Sequence, residues 1–265
     1  MNNHEIDYKL YGDDMQFVEV ELDPNETVIA EAGSLMMMDD SIKMETIFGD
    51  GSKSSGGGLM GKLMGAGKRL ITGESLFMTT FTNEGSGKRH VYFAAPYPGK
   101  IIPMDLSELG GKIICQKDSF LAAAKGVSVG VEFQRKIGAG FFGGEGFIMQ
   151  KLEGDGMAFV HAGGAIHRVD LQPGQKLRVD TGCLVAMTST VDYDIETVGG
   201  IKTALFGGEG IFFASLSGPG TVWIQSLPFS RLASRVFAAA PVSQGGGGKD
   251  SGEGGIGGLF NLFND

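Results

Sequence analysis

The chain has 265 residues, 42% of them hydrophobic, which is enough to bury a substantial core as one large β domain or two fused smaller ones. Its formal net charge of −9 opposes a general electrostatic attraction to nucleic acid, because such binding usually depends on a basic face. Glycine accounts for 45 of the 265 residues, far above its usual share of about 7%. This composition favours many short strands and turns over long helices.

Signals for secretion and membrane insertion are not found in the sequence. The first residues lack the basic region and apolar run of a secretory signal, and no stretch reaches the roughly 18 apolar residues of a spanning helix. Cys115 and Cys183 lack Cys-x-x-Cys spacing, so we expect two reduced, buried small hydrophobes. These features predict a cytoplasmic protein, with peripheral association to a membrane left open.

Strands can be predicted in chain order from the alternation of apolar and polar residues. Phe17–Leu22 places Val18, Val20 and Leu22 on one face and glutamates on the other, and residues 23–26 then form a turn. The stretches 27–38, 112–123 and 176–187 each predict two strands that meet at a small residue. These corner residues are Gly33, Ser119 and Gly182. We expect small residues there because a larger side chain would clash in a tight corner.

A further strand follows each corner and leads into a glycine-rich segment. The alternation is clear at 127–133 and 191–196, and residues 42–44 begin the same pattern. The glycine-rich segments span residues 49–72, 136–143 and 199–207. Beyond the last strand, residues 230–237 predict a short helix capped by Ser230, and residues 241–265 predict a flexible glycine-rich tail.

A short motif recurs where each glycine-rich segment ends. Residues 141–148 read FFGGEGFI, residues 205–212 read LFGGEGIF 64 positions later, and residues 71–77 read ITGESLF. Such self-similarity indicates an architecture built by duplication. It predicts an all-β fold of rotationally related repeats, with units of roughly 1–72, 73–143 and 144–240.

The repeated Gly-Glu-Gly steps, the corners at Gly33 and Gly182 and the long glycine- and methionine-rich segment resemble one known family. It is the altered-inheritance-of-mitochondria, or mitochondrial biogenesis, family and its uncharacterised bacterial members, and the resemblance covers roughly residues 3–240. It implies tandem TRAP-like units, a short form of the double-stranded β-helix or β-sandwich named after a ring-forming RNA-binding attenuator. It also implies self-assembly, and mitochondrial relatives are associated with the inner membrane. The family has no established catalytic residues, and likeness of fold does not carry RNA binding with it.

Two glycine-rich motifs imitate nucleotide-binding loops. In residues 61–69, Lys62 replaces the first glycine of a phosphate-binding loop and Arg69 replaces its Ser or Thr. Residues 138–143 fit the letters of a dinucleotide fingerprint, but a strand is predicted where that motif needs a helix. The glycines are better interpreted as turn formers, and no cofactor is predicted.

Two groups of side chains are candidates for metal binding. His161 and His167 are six residues apart with Gly163-Gly164 between them, so we expect them on different strands or at either end of a turn, which is unlike the His-x-His of a cupin. Glu74, Glu145 and Glu209 recur at one point of the repeat and suit a cation. A structural role, accepting backbone N–H bonds, is the favoured interpretation of these carboxylates.

The glycine-rich segments are the strongest candidates for a docking surface, because rotation would cluster their apolar and cationic residues at one end of the molecule. The predicted surface comprises Leu59, Met60, Lys62, Leu63, Met64, Lys68, Arg69, Phe141, Phe142, Leu205 and Phe206. These residues suit a membrane interface, a partner protein or a neighbouring subunit.

The sequence thus predicts a non-enzymatic homo-oligomeric scaffold, or a peripheral protein that docks on a membrane or a partner through its glycine-rich segments, with no catalytic residues assigned. A cupin-like small-molecule or metal-binding protein is the alternative, followed by an RNA-binding ring.

Overall fold

A computed structural model describes residues 3–48, 77–132, 148–197 and 212–240 of the chain. Two compact units are distinguished, residues 1–232 and residues 233–265. The described residues of the first unit are almost entirely strands and turns, which confirms the predicted all-β class. The strands are β1 (Asp7–Tyr11), β2 (Phe17–Leu22), β3 (Thr27–Glu31), β4 (Leu35–Met38), β5 (Ile42–Phe48), β6 (Phe77–Asn83), β7 (Arg89–Ala94), β8 (Gly99–Asp105), β9 (Lys112–Gln116), β10 (Phe120–Ala124), β11 (Ser128–Glu132), β12 (Met149–Glu153), β13 (Met157–Gly163), β14 (Ile166–Leu171), β15 (Lys176–Asp180), β16 (Leu184–Thr188), β17 (Asp192–Thr197), β18 (Phe212–Ser217) and β19 (Gly220–Gln225).

The strands form four antiparallel sheets within the described residues. Sheet A has the order β1-β2-β7-β4, and sheet B has the order β5-β6-β3-β10-β13-β8. Sheet C has the order β11-β12-β9-β16-β19-β14, and sheet D has the order β15-β18-β17. Sheets B and C therefore each combine strands from two successive stretches of the chain.

One set of pairings occurs three times along the described chain. In the hairpins β5–β6, β11–β12 and β17–β18, the second strand also pairs with an earlier strand of the chain, which is β3, β9 and β15 respectively. The strand after each corner also pairs in the same way, as β4 with β7, β10 with β13 and β16 with β19. Each of these last three pairs contains a register shift at the same point. The predicted duplication agrees with this recurrence but stays a prediction, and the unit boundaries at 72/73 and 143/144 lie outside the described residues.

Three apolar layers hold the four sheets together. The first joins sheets A and B and contains Val20, Phe81 and Phe159. The second joins sheets B and C, and the third joins sheets C and D. Sheets B and C each contribute to two layers, so their central strands are buried on both faces. All five residues of β10, for example, are buried. Such strands read as continuous apolar runs rather than as alternating ones.

The predicted corners lie between the expected strands, but the reasons for the small residues differ. Gly33 has a positive φ of 88° and no atom within 4 Å of a built Cβ, so backbone conformation, not crowding, favours glycine there. Ser119 and Gly182 lie in single 3-10 turns, Lys117–Ser119 and Thr181–Cys183. The Asp180 side chain accepts a hydrogen bond from the Gly182 N–H at 2.9 Å and fixes the second of these turns.

The predicted helix is present as α1 (Phe229–Ala239), which begins one residue earlier and ends two residues later than expected. Its first residues belong to the first compact unit, where the Phe229 ring lies 5.1 Å from that of Tyr97. In the second unit, Val236 and Phe237 are exposed. The predicted tail at 241–265 lies outside the described residues.

Of the two cysteines, Cys115 is fully buried as expected, but Cys183 is only half-buried, because it ends a turn in which no residue is fully buried.

Candidate binding surfaces

The predicted docking residues and the repeated glutamates lie outside the described residues, but the strand ends that carry them are described. Phe48 pairs with Phe77, Glu132 with Met149, and Thr197 with Phe212. Each glycine-rich segment therefore connects two directly paired strand ends, in the position of a hairpin loop. A hairpin stem of this kind fixes both ends of its segment to a rigid sheet.

The structure separates the two candidate histidines, as their spacing predicts. His161 lies on β13 and is 1% exposed, whereas His167 lies on β14 and is exposed. The described residues contain no group of three or more His, Cys, Asp or Glu side chains suited to hold a metal ion. The cupin-like alternative therefore has no ligand set in this part of the chain.

His161 instead belongs to a buried contact with Tyr97. Its Nε2 lies 3.1 Å from the Tyr97 carbonyl oxygen, and the two rings meet edge to face with centroids 4.3 Å apart. Burial lowers the pKa of His161 to about 4, despite the opposing effect of this backbone hydrogen bond, so the imidazole is neutral at physiological pH. A neutral ring that donates from Nε2 is suited to packing rather than to proton transfer at pH 7.

A perturbed carboxyl group lies at the end of β3. Burial and, to a smaller extent, the nearby negative charge of Asp118 together raise the pKa of Glu31 to about 7. Burial of the phenol and, as the smaller cause, the negative charge of Asp118 together raise the pKa of Tyr97 to about 12. Sequence reasoning missed this group, because Glu31 follows an apolar run as an ordinary strand end would.

A polar cluster covers the outer face of sheet A. His90 Nε2 lies 3.3 Å from Glu21 Oε2, and His90 Nδ1 lies 3.4 Å from Asp39 Oδ2. Lys88 donates to Glu21, and this hydrogen bond is the main reason that the pKa of Glu21 is lowered. These groups satisfy each other across β2, β7 and the end of β4, so their arrangement stabilises the sheet surface.

Three consecutive methionines form an exposed apolar group on β4. Met36, Met37 and Met38 on β4 are 50%, 48% and 38% exposed, and Met44 on β5, the next strand along the chain but in sheet B, is 52% exposed. We call Met36, Met37 and Met38 the methionine edge. Methionine gives adaptable apolar contact, and grouped exposed apolar side chains mark association sites. The signal was available in the sequence, because the corresponding positions 121–123 and 185–187 read Leu-Ala-Ala and Val-Ala-Met.

The fold and these surfaces define an all-β protein of stacked, shared sheets, and comparison with known proteins gives its family. The family model described as mitochondrial biogenesis AIM24 matches residues 8–227, so the chain belongs to the AIM24 family. An uncharacterised protein of Streptococcus pyogenes serotype M6 is 31% identical over 234 residues, which are 86% of this chain and 89% of that protein. A Streptococcus pyogenes protein solved by X-ray crystallography matches with a TM-score of 0.69 and 24% identity, over 89% of this chain and all of that one, and shows the same fold.

Among the described residues, no helix has the length and apolar character needed to cross a membrane.

Proposed function

We propose that this protein is a non-enzymatic, homo-oligomeric scaffold that docks on anionic membrane surfaces through its three glycine-rich segments. One observation carries the proposal: each segment connects the paired ends of a hairpin at the same place in the recurring pairings. Three loops on rigid stems can bind together even when each one binds weakly.

The chemistry of the first segment favours a lipid surface as the target. Leu59, Met60, Leu63 and Met64 recur at helical spacing, and Lys62 lies among them. Apolar residues that enter the acyl boundary, with cations that contact anionic headgroups, are typical of segments that lie in the plane of a membrane. The acidic chain as a whole opposes such binding, so the local cations have to supply the attraction.

Sedimentation with lipid vesicles tests this function. We expect the full-length protein to sediment with vesicles that contain phosphatidylserine and to stay in the supernatant with purely phosphatidylcholine vesicles. The double variant Leu63→Asp with Met64→Asp removes apolar contact and adds two negative charges, and we expect it to reduce sedimentation at least several-fold.

Ser86→Asp with Ser189→Asp is the matched control. Both serines are exposed in turns, at the opposite ends of β6 and β17 from the glycine-rich segments, so the control adds equal charge away from the proposed surface. Sedimentation that is equal for the wild type, the control and the Leu63/Met64 variant would disprove docking through the first segment.

A further inference from the structure

Two joints between successive stretches of the chain are built in one register. In the first joint β10 pairs with β3, and in the second β16 pairs with β9. The opposed residues are Ala122 with Ala30, Ala123 with Ile29 and Ala124 with Val28 in the first, and Ala186 with Cys115, Met187 with Ile114 and Thr188 with Ile113 in the second. In both joints, the third residue of the strand that follows a corner lies opposite the fourth residue of a strand that precedes a corner.

In the described residues, one strand that follows a corner and one strand that precedes a corner lack the pairing partner found in these two joints. β4 corresponds to β10 and β16, but it pairs with β7 alone and forms an edge of sheet A. β15 corresponds to β3 and β9, but it pairs with β18 alone and forms an edge of sheet D. The two open edges are therefore of the two kinds that join one another elsewhere in the chain.

Solvent exposure marks the edge at β4 as the exception among its counterparts. Met37 and Met38 are 48% and 38% exposed, whereas Ala122, Ala123, Ala186 and Met187, at the same positions of β10 and β16, are fully buried. Soluble chains normally protect an open strand edge with charges, prolines or a covering segment. An apolar row on an open edge instead indicates a strand that is covered in the assembled protein.

We propose that β4 of one copy pairs antiparallel with β15 of a second copy, in the register of the two internal joints. That register places Met37 opposite Val179, Met38 opposite Arg178 and Asp39 opposite Leu177. The next pair brings Asp40 opposite Lys176, and both side chains are exposed in the single chain. In the first internal joint, the residue corresponding to Asp40 is Lys125, whose N–H donates to the Thr27 carbonyl at 3.0 Å.

Charge supports this choice of partner over a pairing of like edges. Asp39 and Asp40 follow β4, and β15 carries Lys176 and Arg178, so a contact of β4 with β15 in this register brings Asp40 opposite Lys176. Two β4 edges would bring no cation to Asp39 and Asp40, and two β15 edges paired about Arg178 would place one Arg178 directly opposite the other, with Lys176 opposite Asp180. Opposite charges across a strand pair are favourable, and like charges directly opposite are destabilising.

The pairing joins sheet D of one copy to sheet A of the next in a continuous sheet with the order β17-β18-β15-β4-β7-β2-β1. Because the contact uses different surfaces on its two sides, it is heterologous, and it generates a closed ring or a filament. This inference deepens the homo-oligomer of the proposed function by naming its interface, while docking to lipid is tested separately.

Cross-linking between two singly substituted full-length chains tests the register. Met38→Cys chains are mixed with Arg178→Cys chains, both carrying Cys183→Ser and keeping the buried Cys115. Directly opposed residues of an antiparallel pair have Cα atoms about 4.5–5.5 Å apart, which lies within the range of about 4.4–6.8 Å found in disulfides. We expect a covalent dimer that contains one chain of each kind. Met37→Cys mixed with Arg178→Cys is the control, since adjacent residues face opposite sides of the sheet, and we expect at least several-fold less product.

A charge exchange tests the same contact without cysteines. Asp40→Lys and Lys176→Asp should each reduce the assembled fraction seen by analytical ultracentrifugation, and the double variant should restore it. A monomeric wild-type protein, a cross-link that forms only within single chains carrying both cysteines, or equal yields from the test and control pairs would each overturn the proposal. Vesicle sedimentation separates this interface from the docking hypothesis. If the Asp40→Lys chain loses assembly but still binds vesicles, the interface is supported and docking does not require it. If the wild type assembles normally but does not bind vesicles, the docking hypothesis is wrong and the interface is unaffected.

Discussion

The side-chain oxygen of Gln225 accepts a hydrogen bond at 2.7 Å from the backbone N–H of Gly163, 62 residues earlier in the chain. The same side chain donates from Nε2 to the Gly182 carbonyl at 2.8 Å. Gln225 is only 3% exposed, so one amide satisfies a backbone group at the end of β13 and another in the turn between β15 and β16. It therefore connects the end of β19 to the corner that the sequence predicts at Gly182.

Replacing this amide by an apolar side chain should be costly. Gln225→Leu leaves the Gly163 N–H and the Gly182 carbonyl without their partner, and we expect a loss of about 2–4 kcal/mol in the free energy of unfolding. Urea denaturation measures it, with Gln175→Leu as the control, because Gln175 makes its hydrogen bond to the Gln172 N–H at an exposed turn. An equal effect of the two substitutions would contradict the bridging role.

The raised pKa of Glu31 predicts a loss of stability as the pH rises. The folded side chain keeps its proton up to about pH 7, whereas the unfolded one loses it near the ordinary value of 4.5, so the folded state binds more protons between these values. Glu31→Gln should remove this loss and make the protein about 1–3 kcal/mol more stable than the wild type at pH 8, with little difference at pH 4. Urea midpoints across this range measure the difference, and parallel curves for both proteins would refute it.

The lowered pKa of His161 predicts a dependence of opposite sign. The unfolded histidine takes up a proton below its ordinary pKa of 6.5, whereas the folded one stays neutral until about pH 4, so this contribution to stability is lost as the pH falls between these values. His161→Phe keeps the ring contact with Tyr97 and gives up the hydrogen bond. This substitution should lower the free energy of unfolding by about 1 kcal/mol at pH 7.5 and by less at pH 5. His167→Phe, at an exposed position of β14, controls for the loss of a histidine. A loss of stability that grows on acidification would argue against the buried neutral ring.

Gly163 should not tolerate even one added methyl group. An alanine Cβ there would overlap the Leu227 carbonyl oxygen and lie 3.0 Å from Cε2 of Tyr97. We expect Gly163→Ala to cost about 2 kcal/mol or more, because backbone at a β13 strand end has to move. Gly87→Ala is the comparison, since the nearest atom to its Cβ is the mobile end of Arg89 at 3.7 Å. Thermal melts of the two variants that coincide would show that the close approach is easily relieved.

Local sequence patterns predicted the strands but not the way in which the sheets are shared. The alternation in Phe17–Leu22 gave β2 with its observed bounds and its buried valines, because a half-buried strand has period two. β10 carries no such alternation, since it is buried on both faces between layers built from distant parts of the chain. Its pairing with β3 joins Ala122 to Ala30, a relationship that local periodicity does not contain.

The candidate sites were harder to predict for a related reason. Their properties depend on burial by residues far away in the sequence. Glu31 differs from other strand-end glutamates through its burial and the charge of Asp118, and neither is visible in the letters around it. The methionine edge was visible as Met36-Met37-Met38, but its meaning depends on the strand that fails to cover β4. The spacing of His161 and His167, in contrast, was sufficient to predict their separation.

Sharing of strands between sheets also determines how this chain can be divided. A cut between β8 and β9 leaves β3 without β10, and a cut between β14 and β15 leaves β9 without β16. Any fragment ending at such a point would present a fresh apolar edge, so we expect pieces expressed alone to precipitate and a chain nicked at these points by a protease to stay associated.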